Sequence, residues 1–142
     1  MNIRTRLAAV VASVVAATSI ATGVANASPS SPTTGDIIRY EFSSNNRNVD
    51  SIYWYDGWNE DHRFPESYDR YAVFNTSYKN ANGHTLWLAK RTVRSNSTYQ
   101  ITGGYISAHD DVSRAYVACR VYVNDVLIES DYATGKYATA YC

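Results

Sequence analysis

The chain carries no excess of charge: 13 lysines and arginines are matched by 13 aspartates and glutamates over 142 residues. That balance excludes the basic footprint with which a protein grips nucleic acid or an anionic membrane surface. Cysteine is scarce, at two residues, which leaves room for one disulfide at most. Histidine is scarce too. His62, His84 and His109 are widely spaced and form no H-x-H or H-x-x-x-H pair, so no zinc site is written into a local stretch. There is no G-x-S-x-G nucleophile motif. DGWNED at 56–61 lacks the D-x-[DN]-x-[DN]-G order of a calcium loop. No long helical period follows residue 27, and no internal repeat is present. Ser107, His109 and Asp111 alternate, but strand residues two apart sit about 7 Å from one another, too far for a proton relay. The expectation is a chain without catalysis, metal or cofactor.

What is present begins with an export signal. Arg4 and Arg6 precede an uncharged apolar run, Leu7 to Ala25, and Ala25-Asn26-Ala27 fits small-x-small cleavage. Cleavage after Ala27 releases a chain of 115 residues with a formal charge of −2. The alternative is a retained anchor, since the 19 residues from 7 to 25 suffice to span a bilayer. Residues 28–35, SPSSPTTG, read as a disordered linker, so the folded domain is 36–142.

All 13 tyrosines, three tryptophans and three phenylalanines follow the signal, and such enrichment favours strands. Alternation predicts strands over 36–42 (Ile38, Tyr40 and Phe42 on one face), 49–55 (Val49, Ile52 and Trp54 inward), 71–77 and 85–93. SSNNRN at 43–48, NANGH at 80–84 and residues 94–96 are turns. A fifth strand lies within 97–108, broken at Gly103-Gly104, and His109 to Asp111 is a loop. Residues 56–69 read as the longest irregular segment.

The last stretch carries the clearest pattern. Ala115, Val117, Cys119, Val121 and Val123 alternate with Tyr116, Ala118, Arg120 and Tyr122. Asn124-Asp125 then tolerates the positive φ of a type I′ turn. A two-residue loop sets Val123 opposite Val126, Val121 opposite Ile128 and Cys119 opposite Ser130, with Tyr122 against Leu127 and Arg120 against Glu129. After a turn at 133–135, residues 136–142 form a final short strand. Two cysteines in an exported chain favour a Cys119–Cys142 disulfide. A flat meander puts Cys142 out of reach of Cys119, because the bridge needs Cα atoms within about 7 Å. The bridge therefore requires the final strand to leave the sheet. Seven or eight short strands with regular turns make an all-β, antiparallel sandwich.

Ala118-Cys119-Arg120, Val123-Asn124-Asp125-Val126, Glu129, Thr134-Gly135, Ala138 and Cys142 resemble the C-terminal half of the MmpS family of small mycobacterial membrane proteins. Tyr-Glu-Phe at 40–42, IYWYDG at 52–57 and Leu86-Trp87 are similar to further segments of that family. The resemblance implies an immunoglobulin-like β-sandwich that assists an MmpL exporter of the resistance-nodulation-division class, moving lipids or siderophores. The family keeps its N-terminal helix as an anchor, whereas this one has a cleavage site, and the region from Asp56 to His84 is enlarged.

Independently of that resemblance, the loop 56–66 groups Trp58, His62 and Phe64 with Asp56 and Glu60. Aromatics beside carboxylates are suited to binding a glycan or a secreted protein. The opposing expectation is that these aromatics fold back as a lid on the core. Asn75-Thr76-Ser77 and Asn96-Ser97-Thr98 match the glycosylation sequon.

Overall fold

Strand β1 (Ile37–Ser44) shows why this sequence makes sheets. Ile38, Tyr40 and Phe42 fall on one side and are fully buried, while Arg39 and Glu41 fall on the other. Each such burial contributes about 1.5–3 kcal/mol. The structure, a computed structural model, describes residues 31–64 and 74–142. The signal segment 1–27, the start of the linker and the expected strand residues 71–73 lie outside the described residues.

The other strands are β2 (Val49–Tyr55), β3 (Asp61–Phe64), β4 (Thr76–Lys79), β5 (Thr85–Arg94), β6 (Gly104–Ala108), β7 (Tyr116–Val123), β8 (Val126–Thr134) and β9 (Thr139–Tyr141). They form an antiparallel β-sandwich. Sheet A has the order β4-β5-β1-β7-β8, and sheet B has β3-β2-β6-β9. The core between them holds Ile38, Tyr40, Phe42, Val49, Ile52, Phe64, Phe74, Ile106, Val117 and Val121. A register shift between Val49 and Ser51 explains how Val49 and Ile52, three apart, both point inward.

Cys119 and Cys142 are bridged, with Cα atoms 6.1 Å apart. The final strand does leave the hairpin's sheet: β9 pairs with β6, so the bridge staples sheet A to sheet B. Closing the loop between cysteines 23 residues apart contributes roughly 3 kcal/mol. A disulfide of this kind belongs to a chain that folds outside the cytoplasm. Among the described residues, no helix is long and apolar enough to cross a membrane.

Four sequence expectations need correction. A strand, β3, lies inside the stretch 56–69 and pairs with β2. The fifth strand begins only at Gly104. Ahead of it, the Ser95 and Ser97 hydroxyls engage nearby backbone and hold the chain in a loop. In the β7–β8 hairpin the turn is as expected, with Asn124 and Asp125 at φ 49° and 66°. Beyond Tyr122↔Leu127, however, Ile128 is a bulged extra residue, so Glu129 faces Val121, Ser130 faces Arg120 and Asp131 faces Cys119. β8 is an edge strand that β9 meets only near Asp131, whose Oδ2 accepts the Tyr141 N–H. Val126 and Leu127 overhang, 51% and 49% exposed. Finally, the later part of the linker is docked. Pro32 is buried and its carbonyl accepts the Gln100 N–H, and Gly35 donates to the Ser95 carbonyl.

The two outward faces differ. On sheet A, Glu41 lies between Arg39 and Lys90, at 3.4 and 3.2 Å, and the Arg39 guanidinium covers the Tyr122 ring. On sheet B the centre is tyrosine and hydroxyl.

Candidate functional site

One end of the sandwich gathers residues 32–36, the β2–β3 turn 56–60, the loop 94–101 and the β7–β8 turn. Asn96 donates to the Gly57 carbonyl, and Asn124 donates through its backbone to Ile37 and through its side chain to Asp36.

The β2–β3 tip is built around Asp56. Its Oδ1 accepts the N–H groups of Trp58 and Glu60 at 2.8 and 3.0 Å, and its Oδ2 lies 3.2 Å from His62 Nε2. Burial pushes the Asp56 carboxyl up, but those two amides and His62 together outweigh it and hold the group below its ordinary value. With both oxygens occupied by its own loop, Asp56 is not arranged as a cation ligand.

The tip is then braced from outside. Asn59, at φ 65°, donates to the Tyr99 carbonyl at 2.8 Å and accepts the Ile101 N–H at 2.8 Å. Gln100 is buried, and its Nε2 reaches the Asp56 carbonyl and Asn59 Oδ1, both at 2.8 Å. Gly57 passes so close to Arg94 that a Cβ would lie 2.0 Å from its carbonyl oxygen. Out of this frame project Trp58, 69% exposed, and Tyr99, 71% exposed, with Ile101 beside them.

The five residues singled out from the sequence therefore separate. Trp58 and the exposed Glu60 stay at the tip, and Asp56 holds the turn together. His62 stacks on Trp54 at 5.6 Å, and Arg91 lies over that same indole at 5.2 Å. Phe64 is only 5% exposed and belongs to the core, so it is no part of a binding surface. It points inward because Ile52, its cross-strand partner, does. Tyr99, Ile101, Asn59 and Gln100 were missed. Their one signal is the run of Ser, Asn, Thr and Gln at 95–100, side chains able to bind backbone out of register.

Of the remaining constellations, His109 and Asp111 do meet, because residues 109–111 form a turn and not a strand with a spacing of about 7 Å. His109 Nδ1 is 2.7 Å from Asp111 Oδ1, but the Ser107 hydroxyl accepts from Thr139 on the face of sheet B, and no hydrogen bond joins it to His109 among the described residues. His62, His84 and His109 occupy three different turns or strands. Among the described residues, the one group with metal-ligand geometry is His109, Asp110 and Asp111, three consecutive residues at a turn. Asn75 and Asn96, the two sequon asparagines, are both exposed.

Comparison with known protein families, with characterised proteins and with solved structures gave no match.

Proposed function

We propose that this chain is an extracytoplasmic, non-catalytic binding domain that docks a protein partner through the β2–β3 tip. The observation that carries this reading is Trp58: a large aromatic, mostly exposed, on a turn fixed by a buried glutamine from elsewhere in the chain and by the turn's own Asn59, which bonds Tyr99 and Ile101. Exposing an indole costs solvation free energy, and holding it rigid spares the ordering cost of binding. Tryptophan and tyrosine on such a frame are the residue types that dominate protein interfaces. The disulfide supports the compartment. The resemblance of the C-terminal hairpin to the MmpS family makes an MmpL-type exporter the first partner to test.

A photo-crosslinking residue in place of Trp58, expressed in the native host, tests this. The expected outcome is a discrete adduct with one protein at position 58 and none from the same residue at Asn82, in the β4–β5 turn. No adduct at 58, or equal labelling from 82, overturns the reading. An adduct whose partner is an exporter of the resistance-nodulation-division class establishes transport assistance; an adduct with a secreted protein establishes a soluble binder.

A further inference from the structure

The outward face of sheet B presents a second surface, separate from the tip. Arg63, Tyr53, Tyr105 and Tyr141 stand directly opposite one another, one on each of the four strands. The Tyr53 and Tyr105 rings are nearly parallel with centroids 5.4 Å apart, and Tyr141 follows at 5.8 Å. Tyr55 meets Tyr53 edge-on at 5.3 Å. Arg63 reaches across β2 to donate to the Tyr105 hydroxyl at 2.8 Å. In the neighbouring row Ser51 is buried, while the Thr139 hydroxyl donates to that of Ser107 at 3.2 Å. The Tyr55 side-chain hydrogen bond, aided by some burial, pushes the Tyr53 hydroxyl up to about 12.

Two features set this face apart from an ordinary solvated sheet. Sheet A meets water with an interlocked lattice of charges, whereas the four-strand row of sheet B has one charge, Arg63, at its edge, flanked by Asp61 on the same strand and, at the other end, by Asp131, which accepts the Tyr141 N–H. Its last ring, Tyr141, is 65% exposed on an edge strand.

The chemistry that matches is a neutral polyhydroxylated chain. Sugar rings carry apolar C–H patches that rest on aromatic π-systems, while their hydroxyls exchange hydrogen bonds with phenols and a guanidinium. An anionic chain would find a single arginine beside an aspartate. A purely apolar ligand would strip water from the hydroxyls and give nothing back. The row crosses four strands at a spacing of about 4.8 Å, hence roughly 14 Å from end to end. An extended, β-1,4-linked hexose ribbon can follow it; a coiled α-1,4-linked chain leaves it after one ring. We propose that the outward face of sheet B is a binding platform for a neutral β-1,4-linked glycan, running from Tyr141 toward Arg63.

Titration of the purified chain with hexamers of β-1,4-linked glucose and of β-1,4-linked N-acetylglucosamine, followed by NMR, tests this, with the α-1,4-linked glucose hexamer as control. The expected result is a saturable shift of Tyr53, Tyr105 and Tyr141 signals by a β-linked hexamer at millimolar concentration, at least tenfold stronger than by the α-linked one. Tyr141→Ala should weaken it about tenfold, the loss of one contacting ring. Tyr105→Phe, which keeps the ring and removes the hydroxyl, should weaken it by a smaller factor, and Trp58→Ala should leave it unchanged. Absence of shifts with both β-linked hexamers overturns the proposal, as does equal binding of the α-linked hexamer. Loss of binding in Trp58→Ala with retention in Tyr141→Ala also overturns it. A chain that binds the hexamer yet yields no adduct at position 58 overturns the tip reading alone.

Discussion

Two hairpins close at the same end of the sandwich, and what shapes each reversal differs. The β7–β8 reversal is set locally: two residues in left-handed backbone, Asn124 and Asp125, reverse the chain and match the twist of the strands, and Asn124 then ties the finished turn to Asp36 and Ile37. The β2–β3 turn has five residues; Asp56 ties it from within, and others brace it from outside. Its geometry depends on Gln100, Arg94 and Asn96, about 40 residues away in sequence. The short turn carries two small polar residues at its apex, while the long one projects an indole. Bracing from a distance is what lets a long turn present a large side chain in one position.

This contrast can be broken most severely at Gly57. Gly57→Ala drives a methyl into the Arg94 carbonyl, and the loops must part; the expected cost is about 3 kcal/mol, read as a drop in the denaturation midpoint. Gln100→Leu keeps the volume but removes the side-chain donor that ties the Asp56 carbonyl and Asn59 Oδ1 to the loop 94–101. It should cost about 2 kcal/mol and raise hydrogen exchange at Trp58 and Ile101 while sparing Val123.

Acid tests the inner part of the brace. The Asp56 carboxyl is held below its ordinary 3.8, so its contribution is fully present above that pH and fades as pH falls through the lower, folded value. The Trp58 amide signal should therefore move with a midpoint below 3.8, and that low-pH step should vanish in Asp56→Ala; a midpoint above 3.8 would contradict the arrangement. The smallest effect belongs to the other hairpin. Asp125→Gly relieves left-handed strain and loses an exposed ion pair with Arg39, so stability should stay within about 0.5 kcal/mol of the parent.

The same contrast explains what could be read from the residues alone. Features set by neighbours were legible: the alternation of β1, the type I′ turn at Asn124-Asp125, and the need for the final strand to change sheets if Cys119 meets Cys142. Features set by distant partners were not. DHRF at 61–64 has no apolar alternation, and it becomes a strand because β2 offers an unpaired edge beside it. The bulge at Ile128 reflects the position of β8 at the rim of sheet A, which no local pattern encodes. Phe64 looked like a loop aromatic until β3 assigned it a side. The tyrosine row was half visible, as Tyr53 and Tyr55 alternate, but its continuation through Tyr105 and Tyr141 needed the strand order.

The docking of Pro32 and Gly35 beside Gln100 and Ser95 also fixes an orientation. The chain enters the sandwich at the end that bears Trp58, and the turn at 80–84 lies at the opposite pole, beyond the far ends of β4 and β5. Whatever is attached ahead of residue 31 is therefore moored next to the tip. A molecule held there by a short leash would keep its indole turned toward the surface that holds it, shielded from the open medium. The same molecule cut loose would carry that indole outward, available to any passing partner. A single proteolytic event upstream would thus change which neighbours the tip can meet without altering one contact inside the fold.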